Sequence, residues 1–480
     1  MSARAIVWLR RDLRLQDNAA IAAACTEHEQ VALAFVVDPP LLASPRMGAP
    51  LVCAFFDALA ALRESLREMS SDLTILCGDH AEELSAFAQR IGARALYYGE
   101  DYEPAAIARD AAITQALRER GIRAQGVLDH VYFGADEVTR ADGSPFRVFT
   151  PYKRRWLERR AELPRSPVRS LEALRTRTVP ANELDPSGDV PSPGRFGFAR
   201  KPGYQNVTQA NAEALLDSFA QPGGGIERYA GERNHPALRG TSRLSPHLRA
   251  GTVGIRTCVE RAFARRAQCD PAVRANVDAW IGELIWRDFY QTILKRFPHV
   301  VDTAFLPAAE GIAWRDAPDE FGAWCQGRTG YPLVDAAMRD LNANGWMHNR
   351  LRMLAASFLS KHLLIDWRLG ERYFERHLSD AEIASNSGGW QWAASVGTDA
   401  VPYFRIFNPA EQGRRFDPDG AYVRRFVPEL AQAGSSKIHE PEGVPGYPAP
   451  IVEHRAARMR ALAAYGAAFA RAKDAPGAKA

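Results

Sequence analysis

Hydrophobic and polar positions divide the chain into an N-terminal part with two alternating patterns and a C-terminal part with one. Between residues 1 and 130, short apolar runs are separated by longer stretches with helical periodicity. The runs predict buried strands and the longer stretches predict helices. The predicted strands are 6–9, 31–37, 73–76, 95–98 and 124–128, and the predicted helices lie near 51–69, 80–91 and 104–120.

This alternation of strands and helices predicts a Rossmann-like α/β domain over residues 1–130, with a parallel sheet and right-handed crossovers. The ligand of such a domain must be argued separately from its fold. After the first predicted strand the sequence reads "WLRRDLRL" and has no G-x-G-x-x-G pattern. An ordinary dinucleotide site at this position is therefore not supported.

The pattern changes twice beyond residue 130. Residues 131–204 are rich in proline, glycine and charge, with one plausible helix at 151–161, and they predict a long inter-domain connector. The "KRRW" run at 153–156 is interpreted as a solvated helix face rather than a nucleic-acid patch. From 205 to 480 the pattern is helical, which predicts an all-α domain ending in one Ala-rich helix with a short frayed tail.

Length and composition agree with two soluble domains. A chain of 480 residues exceeds the size at which a single core stops growing. The 61 Lys and Arg against 57 Asp and Glu give a net charge of +4, so a nucleic-acid surface would have to be a local patch. The start, "MSARAIVWLRRDLRLQDN", offers neither a signal sequence nor a membrane span, so we expect a cytoplasmic protein.

The cysteines predict neither disulfides nor a metal site. No C-x-x-C pair occurs, and the spacing suits reduced thiols that act as small buried hydrophobic residues. The six cysteines are at positions 25, 53, 77, 258, 269 and 325.

A polar segment at residues 232–251, "ERNHPALRGTSRLSPHLRAG", carries the groups of an anion-binding loop. Gly240 permits a tight turn, Arg243 offers a cation, and Pro246 suits the first turn of a helix. Hydroxyls come from Thr241, Ser242 and Ser245. Free N–H groups at a helix start together with hydroxyl donors would suit a pyrophosphate. A simple Ser/Thr helix cap remains the alternative.

The segment "WIGELIWRDFYQTI" predicts a helix with one packing side and one side that holds charges among aromatic rings. At about 100° per residue, the second side comprises Trp280, Glu283, Trp286, Arg287 and Tyr290. Core helices seldom carry charges between two tryptophans unless the charges meet a ligand or each other. A pair between Glu283 and Arg287 within the helix is the simpler alternative.

A second polar face follows Gly345, which interrupts two helical patterns. The face groups Trp346, Asn349, Arg350 and Met353, with Arg352 on its flank. Asparagine and arginine would address base edges or phosphates, while the indole and thioether would stack or wedge. His348 is interpreted as a structural histidine.

The segment "SNSGGWQWAAS" places two tryptophans beside two glycines. The two glycines, at 388 and 389, would allow close approach by a flat ligand. Asp380 and Glu382 come shortly before Asn386, and Arg405 follows in an aromatic loop. Burial in the core nevertheless explains any single one of the 10 tryptophans as well as function does.

Together these segments resemble the photolyase/cryptochrome flavoprotein family, and specifically its class I cyclobutane pyrimidine dimer photolyases. The matching stretches occur in the family's order over nearly the whole chain: "RRDLRLQDN", "GTSRLS", "ELIWRDFY", "TGYPLVDAAMRDLNANGWMHNRLRM", "GERYFERHL" and "NSGGWQWAASVGTDAVPYFRIFNP". The resemblance implies an antenna domain, a helical FAD domain, and light-driven repair of DNA in which excited reduced FAD donates an electron to a flipped-out dimer.

The resemblance also implies which residues contact FAD. Asn386 would face flavin N5, where a neutral amide can exchange donor and acceptor roles, whereas a carboxylate would repel the anionic reduced flavin. The residues expected at the catalytic centre are Glu283, Asn349 and Asn386. The expected FAD contacts are Tyr229, Thr241, Ser242, Arg243, Leu244, Ser245, Trp280, Glu283, Arg287, Asn349, Arg352, Asp380, Ala381, Glu382 and Asn386.

DNA contacts and an electron path follow from the same resemblance. Trp286 would stack on the lesion and Glu283 would hydrogen-bond to it, while arginines would meet the flanking phosphates or fill the gap. The expected DNA contacts are Arg233, Glu283, Trp286, Arg287, Asn349, Arg350, Met353 and Arg405. A wire of Trp390, Trp367 and Trp314 would carry electrons from the surface to FAD, with Trp392 used in packing.

Departures from the family bear on a second, antenna chromophore. Ala105 and Ala106 stand where folate-binding members carry Asn-Glu, which disfavours methenyl-tetrahydrofolate. "GEDYEP" is more similar to the deazaflavin-binding pattern, with Asp101 and Arg11 as contacts. Glu382 replaces a more usual aspartate and Ser387 replaces a second asparagine, both near the flavin position.

Other members of the family provide the alternatives to repair. A cryptochrome would signal without repairing DNA, and such receptors often have an acidic residue facing N5 and a long C-terminal extension, whereas this chain has Asn386 and a brief tail. A (6-4) photolyase would show paired histidines where only His348 occurs. A non-enzymatic nucleic-acid-binding scaffold is the third alternative. We expect a monomer that binds dimer-containing DNA and no membrane, located at the nucleoid while bound.

Overall fold

The N-terminal part is built on a five-stranded, all-parallel sheet in the order β3-β2-β1-β4-β5. The computed structural model describes residues 4–184 and 189–474. The strands are β1 (Arg4–Leu9), β2 (Gln30–Val37), β3 (Leu73–Cys77), β4 (Ala95–Gly99) and β5 (Arg123–Val127). All five predicted strands are confirmed, because runs buried on both faces are typical of parallel sheets.

Helices cover both faces of this sheet. They are α1 (Ala19–Glu27), α2 (Pro39–Leu42), α3 (Ala49–Arg67), α4 (His80–Ile91) and α5 (Pro104–Glu119). Adjacent residues of β1 point to opposite faces, so Val7 packs in the cluster with α1 and α3, and Trp8 packs in the cluster with α4. The sequence did not predict α1, since its Ala-rich stretch has almost no polar face to set a helical period.

The predicted connector also packs into both parts of the molecule. Its helices are α6 (Phe149–Glu162) and α7 (Ser170–Arg175). Trp156 of α6 is fully buried and its indole N–H donates to the buried carboxylate of Asp288, 3.0 Å away. Further along, the Val31 N–H donates to Arg177 O, and the Val179 N–H donates to Val31 O, which adds a bridge beside β2. Residues 131–204 therefore contribute to hydrophobic clusters in both parts of the molecule.

The remainder of the chain is helical, as predicted for an all-α part, and the described residues after 205 contain no strand. The helices are α8 (Gln209–Ala220), α9 (Tyr229–Glu232), α10 (Ser245–Ala250), α11 (Ile255–Gln268), α12 (Pro271–Arg296), α13 (Pro318–Gln326), α14 (Pro332–Asn344), α15 (Asn349–Ser357), α16 (Trp367–His377), α17 (Ile383–Ala394), α18 (Pro409–Phe416), α19 (Ala421–Phe426) and α20 (His454–Asp474). The predicted frayed tail lies outside the described residues.

The two parts meet where the parallel strands end. The loop after β1 lies against the end of α10, where Gly251 has a φ of +74° and an added Cβ would lie 2.0 Å from Arg11 O. Only glycine tolerates both this backbone conformation and this approach. In the part of the chain that the structure describes, no helix is long and apolar enough to cross a membrane.

Candidate functional site

A cavity of about 490 Å³ opens between α12, α15, α17 and the loop before α10. The α12 face predicted to hold charges among aromatic rings lines it, as does the α15 face. Trp286, Asn349 and Asn386, which come from three separate helices, surround this one cavity. The structure therefore brings together the segments that the sequence pattern singled out.

Most of the expected FAD and DNA contacts line this cavity, with a few exceptions. Ala381 does not line it and is buried in the core, although its carbonyl accepts from Arg249. Arg405 is exposed on the loop before α18. Trp390 of the expected electron path also lines it. The expected FAD and DNA contacts that line the cavity are Tyr229, Arg233, Thr241, Ser242, Arg243, Leu244, Ser245, Trp280, Glu283, Trp286, Arg287, Asn349, Arg350, Arg352, Met353, Asp380, Glu382 and Asn386.

The two charges on the cavity face of α12 pair with other elements and not with each other. Glu283 lies 2.6 Å from Arg233 Nη1, at the end of α9. Arg287 lies 3.0 Å from Glu382, at the start of α17. The simpler alternative of a Glu283–Arg287 pair is thus wrong. Burial raises the pKa of Glu283 in spite of the neighbouring Arg233.

The α15 wall carries two further polar contacts. Arg352 Nη2 donates to Asp380 Oδ2, 2.8 Å away, while the other oxygen of Asp380 is buried without a partner among the described residues. Arg350 Nη2 donates to Asn234 Oδ1 at 2.6 Å. Asn234 was not predicted, because its role depends on a contact 116 residues along the chain.

Asn386 is held in one orientation by α16. Its Nδ2 donates to the backbone oxygen of Glu371 at 3.0 Å and to Glu371 Oε1 at 3.1 Å. These bonds occupy the amide nitrogen and leave Oδ1 without a protein donor among the described residues. Burial, together with the nearby Glu375, raises the pKa of Glu371 to about 7.

The two glycines of "SNSGGWQWAAS" have different roles. A Cβ on Gly388 would lie 2.3 Å from the Tyr290 ring, so this glycine allows α17 to pack on α12. A Cβ on Gly389 would meet no atom within 4 Å, and Gly389 lines the cavity. The expectation that both glycines face a flat ligand is therefore wrong for Gly388.

The Trp286 indole stacks on Phe149, a ring from the connector. The ring centres are 3.6 Å apart and the planes differ by 8°. Lys153, one turn further along α6, lies beside α12, with its Nζ 3.2 Å from the position of an added Cβ on Gly282. The "KRRW" run is thus not wholly a solvated face, since Trp156 is buried.

The indoles of the expected electron path differ in surroundings. Trp390 is buried, lines the cavity, and lies against the rings of Phe374 and Trp324, with centres 5.0 and 6.0 Å away. Trp367 is buried, and Trp314 is partly buried with its ring 5.9 Å from that of Tyr465. Trp324, which contacts Trp390, was not predicted from the sequence. Trp392 packs against the core and also lines the cavity.

Arg11 and Asp101, the expected deazaflavin contacts, are both used at the junction of the two parts. They lie 3.2 Å apart, each less than 10% exposed, and Arg11 also pairs with Glu382. Burial alone would raise the pKa of Glu382, but Arg287 and Arg11 outweigh it and hold this pKa well below its usual range. The Glu382 carboxylate, which lines the cavity, is thus held by Arg11 from the α/β part.

The residues of the cavity fit FAD chemically. Donors for a diphosphate come from Thr241, Ser242 and Ser245 near the start of α10. Asp380 Oδ1 and the Trp390 indole nitrogen are buried without partners among the described residues, as expected of groups that meet a ligand. Indole and aliphatic walls with few convergent polar groups are typical of cofactor sites.

Comparison with known proteins agrees with this geometry. Residues 280–467 match the FAD binding domain of DNA photolyase, and residues 5–170 match DNA photolyase. A deoxyribodipyrimidine photo-lyase from Halobacterium salinarum is 41% identical, covering 96% of this chain and 98% of its own length. The one from Escherichia coli is 40% identical with the same coverage.

Solved structures of related proteins have the same architecture. A bacterial class III photolyase from Agrobacterium tumefaciens superposes with a TM-score of 0.87 at 34% identity, covering 98% of both chains. An archaeal photolyase from Sulfolobus tokodaii, whose structure holds two FAD molecules, has a TM-score of 0.83 at 31% identity, covering 97% of this chain and 100% of its own. The chain belongs to the DNA photolyase family.

Proposed function

We propose that this protein repairs cyclobutane pyrimidine dimers in DNA by light-driven electron transfer, with FAD bound in the cavity of the helical part. The observation that carries the proposal is that Trp286, Asn349 and Asn386 line a single cavity. A stacking surface for an extruded base and an amide suited to a flavin are thereby within reach of one another. Relatives with about 40% identity are named deoxyribodipyrimidine photo-lyase.

The cavity wall would hold FAD through two groups of contacts. The hydroxyls of Thr241, Ser242 and Ser245 would donate to the diphosphate. Arg352 and Asp380, joined at 2.8 Å, would bind the polar edge of the ring system. When bound in its reduced form, FAD supplies a light-absorbing electron donor.

Asn386 would present Oδ1 to the flavin because Glu371 holds its Nδ2. A neutral amide avoids the repulsion that a carboxylate would exert on an anionic ring. This choice of residue favours repair over the cryptochrome alternative, whose members often carry an acid at this position. Glu371 would act as a positioning residue, since it orients the amide and does not line the cavity.

The lesion would enter the same cavity through its mouth, where the DNA would bind. Photolyases are among the enzymes known to extrude the target base from the helix. The Trp286 indole is already held flat on Phe149, so little side-chain entropy is lost when a base stacks on it. Glu283 would hydrogen-bond to the lesion, with Asn349 and Met353 beside it.

Cationic side chains around the cavity mouth would bind the flanking phosphates. Arg233 and Arg350 line the mouth, and Arg405 is exposed on its own loop. Lys153 from the connector adds a fourth cation beside α12. Phosphate contacts of this kind position the DNA without reading its sequence.

The indoles Trp390, Trp367 and Trp314 would form the path that reduces FAD from the surface. Trp390 lines the cavity and would therefore lie next to FAD bound there. Gly370 permits this position, because a Cβ there would lie 2.1 Å from the Trp390 ring. Trp314, which is only partly buried, would be the member that exchanges with solvent.

The division into an antenna domain (1–130), a connector (131–204) and a catalytic domain (205–480) is part of the proposal. A deazaflavin suits the antenna domain better than methenyl-tetrahydrofolate, because Ala105 and Ala106 offer no polar side chain. The contacts of such a chromophore would have to come from residues other than Arg11 and Asp101, which the junction occupies. We further propose a cytoplasmic monomer that associates with the nucleoid through damaged DNA.

Illumination of the reduced, FAD-loaded protein with a dimer-containing oligonucleotide tests the proposal. We expect recovery of thymine absorbance in the light and none in the dark or with an undamaged oligonucleotide. Absence of recovery in a protein that holds reduced FAD would instead support the cryptochrome alternative.

A further inference from the structure

A second cavity, of about 940 Å³, lies on the far side of the loop that precedes α10. It is bounded by the segment around 221–239, by the end of α14 and by α19. Thr241, Ser242, Arg243 and Trp346 line both cavities, so this loop forms the wall between them. None of the contacts proposed for repair accounts for the rest of this second cavity.

Its lining has a marked excess of positive charge. Arg239 and Arg425 are exposed at its edge, and neither has a carboxylate within 4 Å among the described residues. Arg243 also lines it, whereas Arg228, a fourth lining arginine, is already paired with Glu232. These three guanidinium groups share one nearby acid and still repel one another, so an anion would relieve the repulsion.

Asp340 cannot neutralise these cations fully. It is the one carboxylate among the described residues that line the cavity. Its Oδ2 accepts from the Tyr422 hydroxyl at 2.7 Å, and its Oδ1 accepts from Asn344 Nδ2 at 2.6 Å. Burial raises the pKa of Asp340, and both of its oxygens are already engaged by these two hydrogen bonds.

His348 provides an independent indication of a ligand. It lines the cavity and is only 3% exposed, and its Nδ1 accepts from the Arg350 N–H. Burial and the nearby arginines lower its pKa to about 4, so the ring is neutral at pH 7 and carries its proton on Nε2. This N–H donor is buried and has no partner among the described residues. A donor left unpaired in this way is costly unless a ligand accepts from it.

We propose that the second cavity binds a phosphomonoester through Arg239, Arg243, Arg425 and the Nε2–H of His348. The apolar part of its lining, with Phe219, Leu215 and Leu238, would pack against an attached organic group such as a nucleoside. The size of the cavity falls within the range of small-molecule sites. The inference rests on the proposed function only in assigning the neighbouring cavity to FAD.

Isothermal titration of the FAD-loaded protein with inorganic phosphate and with adenosine monophosphate, at constant ionic strength, tests the inference. We expect saturable binding of one anion per chain. Tighter binding of the nucleotide would identify a nucleotide site, and equal affinities would identify a site for the phosphate group alone.

Arg425→Gln is the decisive variant, because Arg425 is exposed and lies outside the proposed FAD and DNA contacts. We expect it to weaken anion binding about tenfold or more, as for a lost charge-assisted hydrogen bond. Arg458→Gln removes the same charge from an exposed position on α20 and should leave binding unchanged. Equal losses in the two variants would overturn the inference.

Two other results would also contradict a phosphomonoester site in the second cavity. One is the absence of saturable binding to the FAD-loaded protein. The other is binding to the FAD-free protein alone, because the phosphate would then be using the contacts of the FAD diphosphate. Neither result would affect the repair assay, so the failure of this inference and of the proposed function can be told apart.

Discussion

Two groups of charged residues lie close together in this molecule and differ in burial and in charge balance. The junction cluster consists of Arg11, Asp101, Arg287 and Glu382, each at most 10% exposed, with Glu103 beside Arg11 at 3.5 Å. The rim cluster consists of Arg233, Glu283 and Arg350, whose side chains are partly exposed beside the cavity. Arginines and acids therefore join the two parts of the molecule in the junction cluster, whereas in the rim cluster they are accessible to a ligand.

The difference shows that charge balance and burial indicate function better than residue type does. Asp101 and Glu382 keep their charge in spite of burial because arginines contact them, and the pKa values of both are held well below their usual range. The charge of each arginine in this cluster is thus already balanced by a carboxylate. The rim arginines outnumber their one acid, and this excess is suited to phosphates.

Substitutions in the two regions should impair different properties. The largest effect is expected for Trp390, which lines the cavity. We expect Trp390→Phe to fold and bind FAD but to lose photoreduction of the flavin almost completely, because the first step of the electron path is removed. Bleaching of oxidised flavin absorbance under illumination measures this. Trp392→Phe, on the same helix, is the matched control and should photoreduce normally; normal photoreduction in both variants would exclude the proposed path.

Substitution in the junction cluster should lower the stability of the fold. Arg11→Met leaves Asp101 and one side of Glu382 unpaired in a buried site, and we expect the free energy of unfolding to fall by about 3–5 kcal/mol. Urea unfolding measures this loss. Arg123→Met breaks an ion pair with Glu27 whose side chains are 53% and 42% exposed, and it should cost less than about 1 kcal/mol. Similar losses in the two variants would contradict the contrast between the regions.

The sequence predicted the strands and the polar helix faces because periodicity is a local property of the chain. The parallel strands and the α12 face follow directly from it. The role of Arg11 could not be predicted in this way, because its partner Glu382 lies 371 residues along the chain. Phe149 was missed for a similar reason, since the connector that carries it has few periodic signals of burial.

Glu371 differs from the junction carboxylates, because it is a buried acid without a strong cationic partner. Its pKa is raised from 4.5 to about 7, so the unfolded chain ionises before the folded protein as the pH rises. Stability should therefore fall between pH 4.5 and 7 by on the order of 3 kcal/mol relative to Glu371→Gln. Urea unfolding of both proteins at pH 5 and pH 8 measures this difference. Parallel changes in the two proteins would contradict the raised pKa.

Trp286 tests whether the cavity recognises the lesion. Trp286→Ala removes the surface stacked on Phe149, and we expect it to weaken binding to dimer-containing DNA by about 1–3 kcal/mol, with a much smaller effect on intact duplex. Fluorescence anisotropy with the two DNAs provides the measurement. Trp392→Ala removes another indole from the same cavity and should not change this preference. Equal losses on both DNAs for Trp286→Ala would refute its role as a stacking platform.

The smallest expected effect concerns the rim cations, which position DNA without distinguishing damage. Arg350→Gln removes one guanidinium that Asn234 holds at 2.6 Å, so its orientation is fixed before DNA binds. We expect affinity for damaged and intact DNA to fall together, and the slope of log affinity against log salt concentration to decrease by about 0.9, as for one lost phosphate contact. An unchanged slope would mean that Arg350, like Arg11, serves the structure and not the ligand.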